Sequence, residues 1–87
     1  MIIIYGKKPD EECLQCGAAK MLCEMRNLPY EYKIIGQDTQ PGELTLMAGV
    51  PIRSAPAIFE RDASGSLNYI GGYQELRKHL TERPVEA

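Results

Sequence analysis

Cys13-Leu14-Gln15-Cys16 follows a short apolar run, Ile2-Ile3-Ile4-Tyr5, and opens a helical pattern that continues to about Asn27. Two cysteines three apart, heading a helix that follows a strand, form a dithiol–disulfide site. Residues i and i+3 of the first turn share a face, so the two sulfurs can close a small ring. The head of the helix carries unpaired N–H groups and the positive end of the macrodipole, which favour a thiolate over a thiol. A free cysteine has a pKa of about 8.5, and sites of this kind lower it to roughly 3.5–7.5. Cys13, nearer the helix end, is expected to be the exposed, attacking thiolate. Cys16, one turn in, is expected to resolve the mixed disulfide.

At 87 residues the chain is one small domain with room for one core. A net charge of −2 leaves no basic footprint for nucleic acid or for an anionic membrane surface. No apolar run spans a bilayer, and the opening isoleucines are too short a run for a signal peptide. The expected compartment is therefore a reducing cytoplasm, where a CxxC pair is catalytic or metal-binding rather than a staple. The count of three cysteines agrees, since Cys23 is left over when Cys13 and Cys16 bond.

Outward from the cysteines, Ile2–Tyr5 reads as a strand covered on both faces, ended by Gly6. The loop 7–12 is polar. Lys7 and Lys8 favour a thiolate at Cys13, whereas Asp10, Glu11 and Glu12 oppose it. In the first helix Ala18, Leu22 and Met25 are read as the inward stripe, with Lys20, Glu24 and Arg26 left for solvent. Asn27 ends it ahead of Pro29. Tyr30–Ile35 alternates as an edge or half-buried strand. A second helix starts near Pro41, capped by Thr39 or Gln40, and stops at Gly49. Ala57–Glu60 and Leu67–Ile70 form a hairpin around Ser64-Gly65. After Gly71-Gly72 a last helix runs from Tyr73 to Thr81, with Leu76 and Leu80 inward. A polar tail, 83–87, is expected to fray behind a domain spanning 1–82. The order is β-α-β-α-β-β-α: an α/β chain with a mixed four-stranded sheet and three helices, its first two strands parallel.

That order resembles the thioredoxin-like fold, and within it the glutaredoxins, most closely the small phage-type ones. Three motifs carry the resemblance, which runs from Ile2 to about Leu80: Tyr5 with Cys13-Leu14-Gln15-Cys16, then Ala55-Pro56-Ala57-Ile58-Phe59, then Ile70-Gly71-Gly72-Tyr73-Gln74-Glu75-Leu76. Thioredoxins proper are longer and place a Trp before the first cysteine; this chain has no Trp. The resemblance implies that Cys13 is the nucleophile and Cys16 the resolving thiol. It implies that Pro56 is cis and turns the Ala55 backbone toward a peptide-like ligand. It implies that Gly71, Gly72, Tyr73 and Gln74 form a glutathione pocket, with N–H groups for the γ-glutamyl carboxylate. Lys7 or Lys8, with Arg53, would hold the glycine carboxylate. Two departures stand out: Leu14-Gln15 replaces the family's common Pro-Tyr, and Gln74, with Glu75 next, stands where an Asp commonly follows the glycines.

The function implied is that of a dithiol–disulfide oxidoreductase that reduces protein or glutathione mixed disulfides. Glutathione is its reductant or co-substrate, and no metal is expected. Ribonucleotide reductase is the expected client, thioredoxin reductase an alternative electron source, and a monomer the expected state. A half zinc site is the rival reading of the cysteines, but Cys23 and His79 do not complete one. Cys23 reads as a small buried apolar residue, with a glutathionylated regulatory thiol as the sharper alternative, and His79 as a solvated surface residue. Tyr5 is core or substrate wall. A different class of function on the same fold is a non-turnover module that binds an Fe–S cluster or a partner.

Overall fold

A computed structural model describes residues 1–8, 13–52 and 55–82. The elements are β1 (Ile2–Gly6), α1 (Leu14–Met25), β2 (Tyr30–Ile34), α2 (Pro41–Ala48), β3 (Ala57–Arg61), β4 (Leu67–Gly71) and α3 (Tyr73–Glu82). They form a mixed four-stranded sheet in the order β2-β1-β3-β4. β1 runs parallel to β2 and antiparallel to β3, and β3 and β4 make the hairpin. The architecture is the thioredoxin-like one expected from the element order. The expected tail at 83–87 lies outside the described residues.

β1 explains its own composition. Ile2 and Ile4 pack with Ala19 and Cys23 of α1 and with Leu76 and Leu80 of α3. Ile3 and Tyr5 point the other way, onto Leu44 of α2, Ala57 and Phe59. The strand is buried on both faces, so β-branched residues at every position are favoured over alternation. β2 is an edge strand, as its alternation suggested, with Tyr30 and Tyr32 laid against the α1–α3 side.

Local chemistry sets the helix ends. Asn27 has φ 54°, Leu28 N–H bonds the Cys23 carbonyl at 2.9 Å, and Asn27 N–H bonds Glu24 at 3.2 Å. This is a Schellman stop, closed by Leu28 packing onto the core. Pro41 opens α2 behind Gln40, and Gly49 ends it at φ 74°. In the hairpin turn the Asp62 carboxylate accepts from Ser64 N–H and Ser66 N–H, both at 3.0 Å.

Three expectations are corrected. The inward stripe of α1 is Cys16, Ala19 and Cys23; Leu22 flanks it, Ala18 is half-buried, and Met25 is 76% exposed. β2 closes at Ile34, and Ile35 makes an isolated bridge to Thr39. His79 is not simply solvated: it is half-buried, its Nε2 3.1 Å from Glu60 Oε1.

Burial pushes the Cys23 thiol up from its ordinary value, chiefly through desolvation, with Glu24 adding to it. Cys23 is thus expected to resist iodoacetamide in the native protein at pH 8 and to react only in denaturant. Labelling in the native state would contradict its burial. Phe59, packed between Tyr5 and Tyr69, is the largest fully buried side chain of the second core. Phe59→Ala should lower the unfolding free energy by about 3–5 kcal/mol in urea titration.

Candidate active site

Cys13 is the N-cap of α1, in extended conformation, and Cys16 lies one turn in. They form a disulfide, with Cα atoms 5.3 Å apart. Cys13 is half-buried and Cys16 only 3% exposed, which is the asymmetry an attacking and a resolving sulfur require. The Cys16 N–H donates to Cys13 Sγ at 3.2 Å. That donor belongs to the unpaired set at the helix head, and it stabilises negative charge on the Cys13 sulfur once the disulfide opens.

Gly6 makes the site possible from below. A Cβ there would lie 3.0 Å from Cys16 Sγ and 2.7 Å from the Tyr32 ring. The missing side chain lets β1, the Cys16 sulfur and Tyr32 converge. The Tyr32 hydroxyl donates to the Lys7 carbonyl at 2.8 Å, tying β2 to the start of the loop before Cys13.

Two clefts flank the CxxC turn. One, of about 250 Å³, is lined by Lys7, Lys8, Cys13, Cys16, Gly17, Lys20 and Tyr32. The other, of about 390 Å³, brings Gln15 together with Ala55, Pro56, Gly72, Tyr73, Gln74 and Glu75. The Ala55–Pro56 bond is cis. Gly72 sits close enough to Pro56 that a Cβ would lie 3.6 Å from its carbonyl oxygen. The structure thus gathers Lys7, Ala55, Pro56, Gly72, Tyr73 and Gln74 about the CxxC turn, on two different sides. Gly71 ends β4 at φ 132°, where a side chain would also strike Glu75. Arg53, Asp10, Glu11 and Glu12 lie outside the described residues.

Glu75 was expected only as the neighbour of Gln74. Its carboxylate accepts from Gly72 N–H at 2.9 Å, closing the head of α3 as an N3 glutamate does in a capping box. A ligand carboxylate at Gly72 must displace it. The spacing Gly72-x-x-Glu75 carries this signal in the sequence. Lys20, expected in solvent, instead lies with its Nζ 4.6 Å from the centroid of the Tyr32 ring. Its only local signal was its place one turn beyond Cys16. Tyr5, read as core or substrate wall, is core. Among the described residues no group of three metal-ligating side chains comes together, and no helix is long and apolar enough to cross a membrane.

No protein-family profile matches this chain, and no curated protein does. Solved structures do. Reduced Escherichia coli glutaredoxin superposes with a TM-score of 0.74 at 26% identity, over 94% of each chain. The fold is that of the glutaredoxins. Glutaredoxin 1 from Francisella tularensis, solved with cacodylate, shares the fold at TM-score 0.66 and 24% identity, over 93% of this chain and 92% of that one. A glutaredoxin fold with a CxxC pair that closes to a disulfide supports thiol–disulfide oxidoreductase chemistry.

Gly6→Ala should destabilise this glutaredoxin-like chain by about 1–3 kcal/mol, as overpacking does, because Tyr32 and the Cys16 sulfur must both retreat. Thermal unfolding of the oxidised and reduced forms checks it; an unchanged midpoint in both would show that the close approach is dispensable.

Proposed function

We propose that this protein is a glutaredoxin-type dithiol–disulfide oxidoreductase acting on protein or glutathione mixed disulfides. The observation that carries the reading is the half-buried Cys13 at the head of α1, backed by buried Cys16 and sharing its CxxC turn with the cis-Pro56 cleft. The Cys13 thiolate attacks a disulfide R–S–S–R′, forms Cys13–S–S–R and releases R′S⁻, which takes up a proton. Cys16, losing its proton, attacks Cys13 Sγ and releases RS⁻. The two protein thiols are oxidised to the Cys13–Cys16 disulfide, and the substrate disulfide is reduced to two thiols. The helix-head donor at Cys13 favours its thiolate, the form that attacks in the first step, and in the second step an acidic substrate thiol leaves more readily.

Glutathione is the reductant or co-substrate in this reading. Its cysteine backbone pairs with Ala55 beside Pro56 as an added strand. Its γ-glutamyl carboxylate takes the head of α3 at Gly71, Gly72, Tyr73 and Gln74, displacing Glu75 from the Gly72 N–H. Lys7, with Arg53, takes the glycine carboxylate. Ribonucleotide reductase, working in the cytoplasm with this protein as a monomeric electron donor, is the client proposed.

The test is turnover of a glutathione mixed disulfide by wild type, Cys13→Ser and Cys16→Ser, with glutathione and its reductase or with thioredoxin reductase. Wild type should turn over with glutathione, Cys13→Ser should lose all activity, and Cys16→Ser should retain part of it. Turnover with thioredoxin reductase alone would remove glutathione from the reading. Turnover with neither would remove the enzyme reading in favour of a binding module.

A further inference from the structure

Cys16 has to lose its proton before it attacks Cys13, because the thiolate is the nucleophile. Yet Cys16 is only 3% exposed and belongs to the buried face of α1. A charge taken out of water costs free energy unless a donor replaces the hydrogen bonds it leaves. Gly6 shows what adjoins the Cys16 sulfur. A Cβ there would crowd the Tyr32 hydroxyl, and it would lie 2.7 Å from Tyr32 Cζ and 3.0 Å from Cys16 Sγ. Hydroxyl and sulfur therefore meet at the one position where β1 carries no side chain. The ring is fixed from two sides: its hydroxyl donates to the Lys7 carbonyl at 2.8 Å, and Lys20 Nζ lies 4.6 Å from its centroid. Among the described residues of the cleft that reaches both cysteines, Tyr32 carries the only hydroxyl. Burial pushes the Tyr32 phenol up from its ordinary value, so it stays a donor at neutral pH.

We propose that the Tyr32 hydroxyl becomes the hydrogen-bond partner of Cys16 Sγ once the disulfide is open, and that it supports the resolving step. The inference rests on the oxidoreductase reading and deepens it. In the Cys13–S–S–R intermediate the Cys16 thiol donates to the Tyr32 oxygen, while the Tyr32 hydroxyl keeps its bond to Lys7. The thiol proton passes to water in the cleft, and the hydroxyl turns from the Lys7 carbonyl to the new thiolate. The thiolate's electron pair forms the bond to Cys13 Sγ. The bond between Cys13 and R–S breaks, its pair leaves with RS⁻, and RS⁻ takes a proton from water. Tyr32 keeps its own proton throughout. A hydrogen bond to a charged acceptor is about twice as strong as one to a neutral acceptor, so the change of partner favours the thiolate.

The probe is dipyridyl disulfide, which releases one thiopyridone when Cys13 attacks and a second when Cys16 resolves. One equivalent is mixed with each reduced protein, and the two releases are timed by stopped-flow absorbance. The proteins are wild type, Tyr32→Phe, Cys16→Ser and the variant carrying both changes. Tyr32→Phe should slow the second release about two- to tenfold and leave the first unchanged. In the Cys16→Ser background, where only the first release remains, Tyr32→Phe should change nothing. Equal slowing of both releases would mean that Tyr32 acts through Lys7 on Cys13, and would overturn the proposal, as would an unchanged second release. A further readout needs no change at Tyr32. In reduced wild type at mildly acidic pH, the Raman S–H band that disappears in Cys16→Ser should lie in the hydrogen-bonded range. A band at the unbonded frequency would overturn the contact. The probe is a synthetic disulfide, so a failure of turnover with glutathione leaves both readouts intact. Wild type that gives the first release without the second refutes the dithiol reading, and the Raman band then still decides whether Tyr32 holds Cys16.

Discussion

β1 is covered on both faces, and the cysteine site is built at the end of that burial. Ile2 and Ile4 bind α1 and α3 to one side of the sheet, while Ile3 and Tyr5 bind α2 and Phe59 to the other. Each fully buried aliphatic side chain is worth about 1.5–3 kcal/mol, so these few residues fix the layers firmly. The strand then ends at Gly6, the position whose missing side chain admits the Cys16 sulfur and Tyr32. Cys16 is itself part of the buried face of α1, in line with Ala19 and Cys23. The Cys16 sulfur is therefore held by the core, and Cys13, at the N-cap, is left half-buried.

Helix heads supply the polar half of the site. At α1 the Cys16 N–H is directed at Cys13 Sγ, where it can support a thiolate. At α3 the bond runs the other way along the turn: the N–H of Gly72, just before the helix, is taken by the Glu75 carboxylate. The two heads thus differ in function: one stabilises the reacting sulfur, and the other carries a carboxylate that any anionic ligand has to replace. Among the described lining residues, the cleft beside Pro56 carries the Glu75 carboxylate, and the one on the opposite side carries Lys7, Lys8 and Lys20.

Most of the fold was legible because glycine and proline mark its joints. Pro41 starts α2, Gly49 ends it, and Asn27 stops α1 in the left-handed region that its short polar side chain tolerates. The CxxC spacing announced the disulfide, and Pro56 and Gly72 line the second cleft. The inward face of α1 was not legible. Ala18, Leu22 and Met25 form as plausible an apolar stripe as Cys16, Ala19 and Cys23, and packing against β1 and α3 chose the latter. Lys20 was missed because its partner, Tyr32, comes from β2, and nothing local to α1 shows a ring beneath it. His79 was missed for the same reason, since Glu60 reaches it from β3. Glu75 was readable in principle from its spacing to Gly72.

The central claim is that Cys13 is the reacting sulfur, held apart from a buried Cys16 and a buried Cys23. It is tested most directly by giving the reduced native protein less than one equivalent of iodoacetamide at neutral pH and mapping the label on peptides. The account predicts label on Cys13, with Cys16 and Cys23 unmodified. Label on Cys16, or spread evenly over the three cysteines, would contradict it.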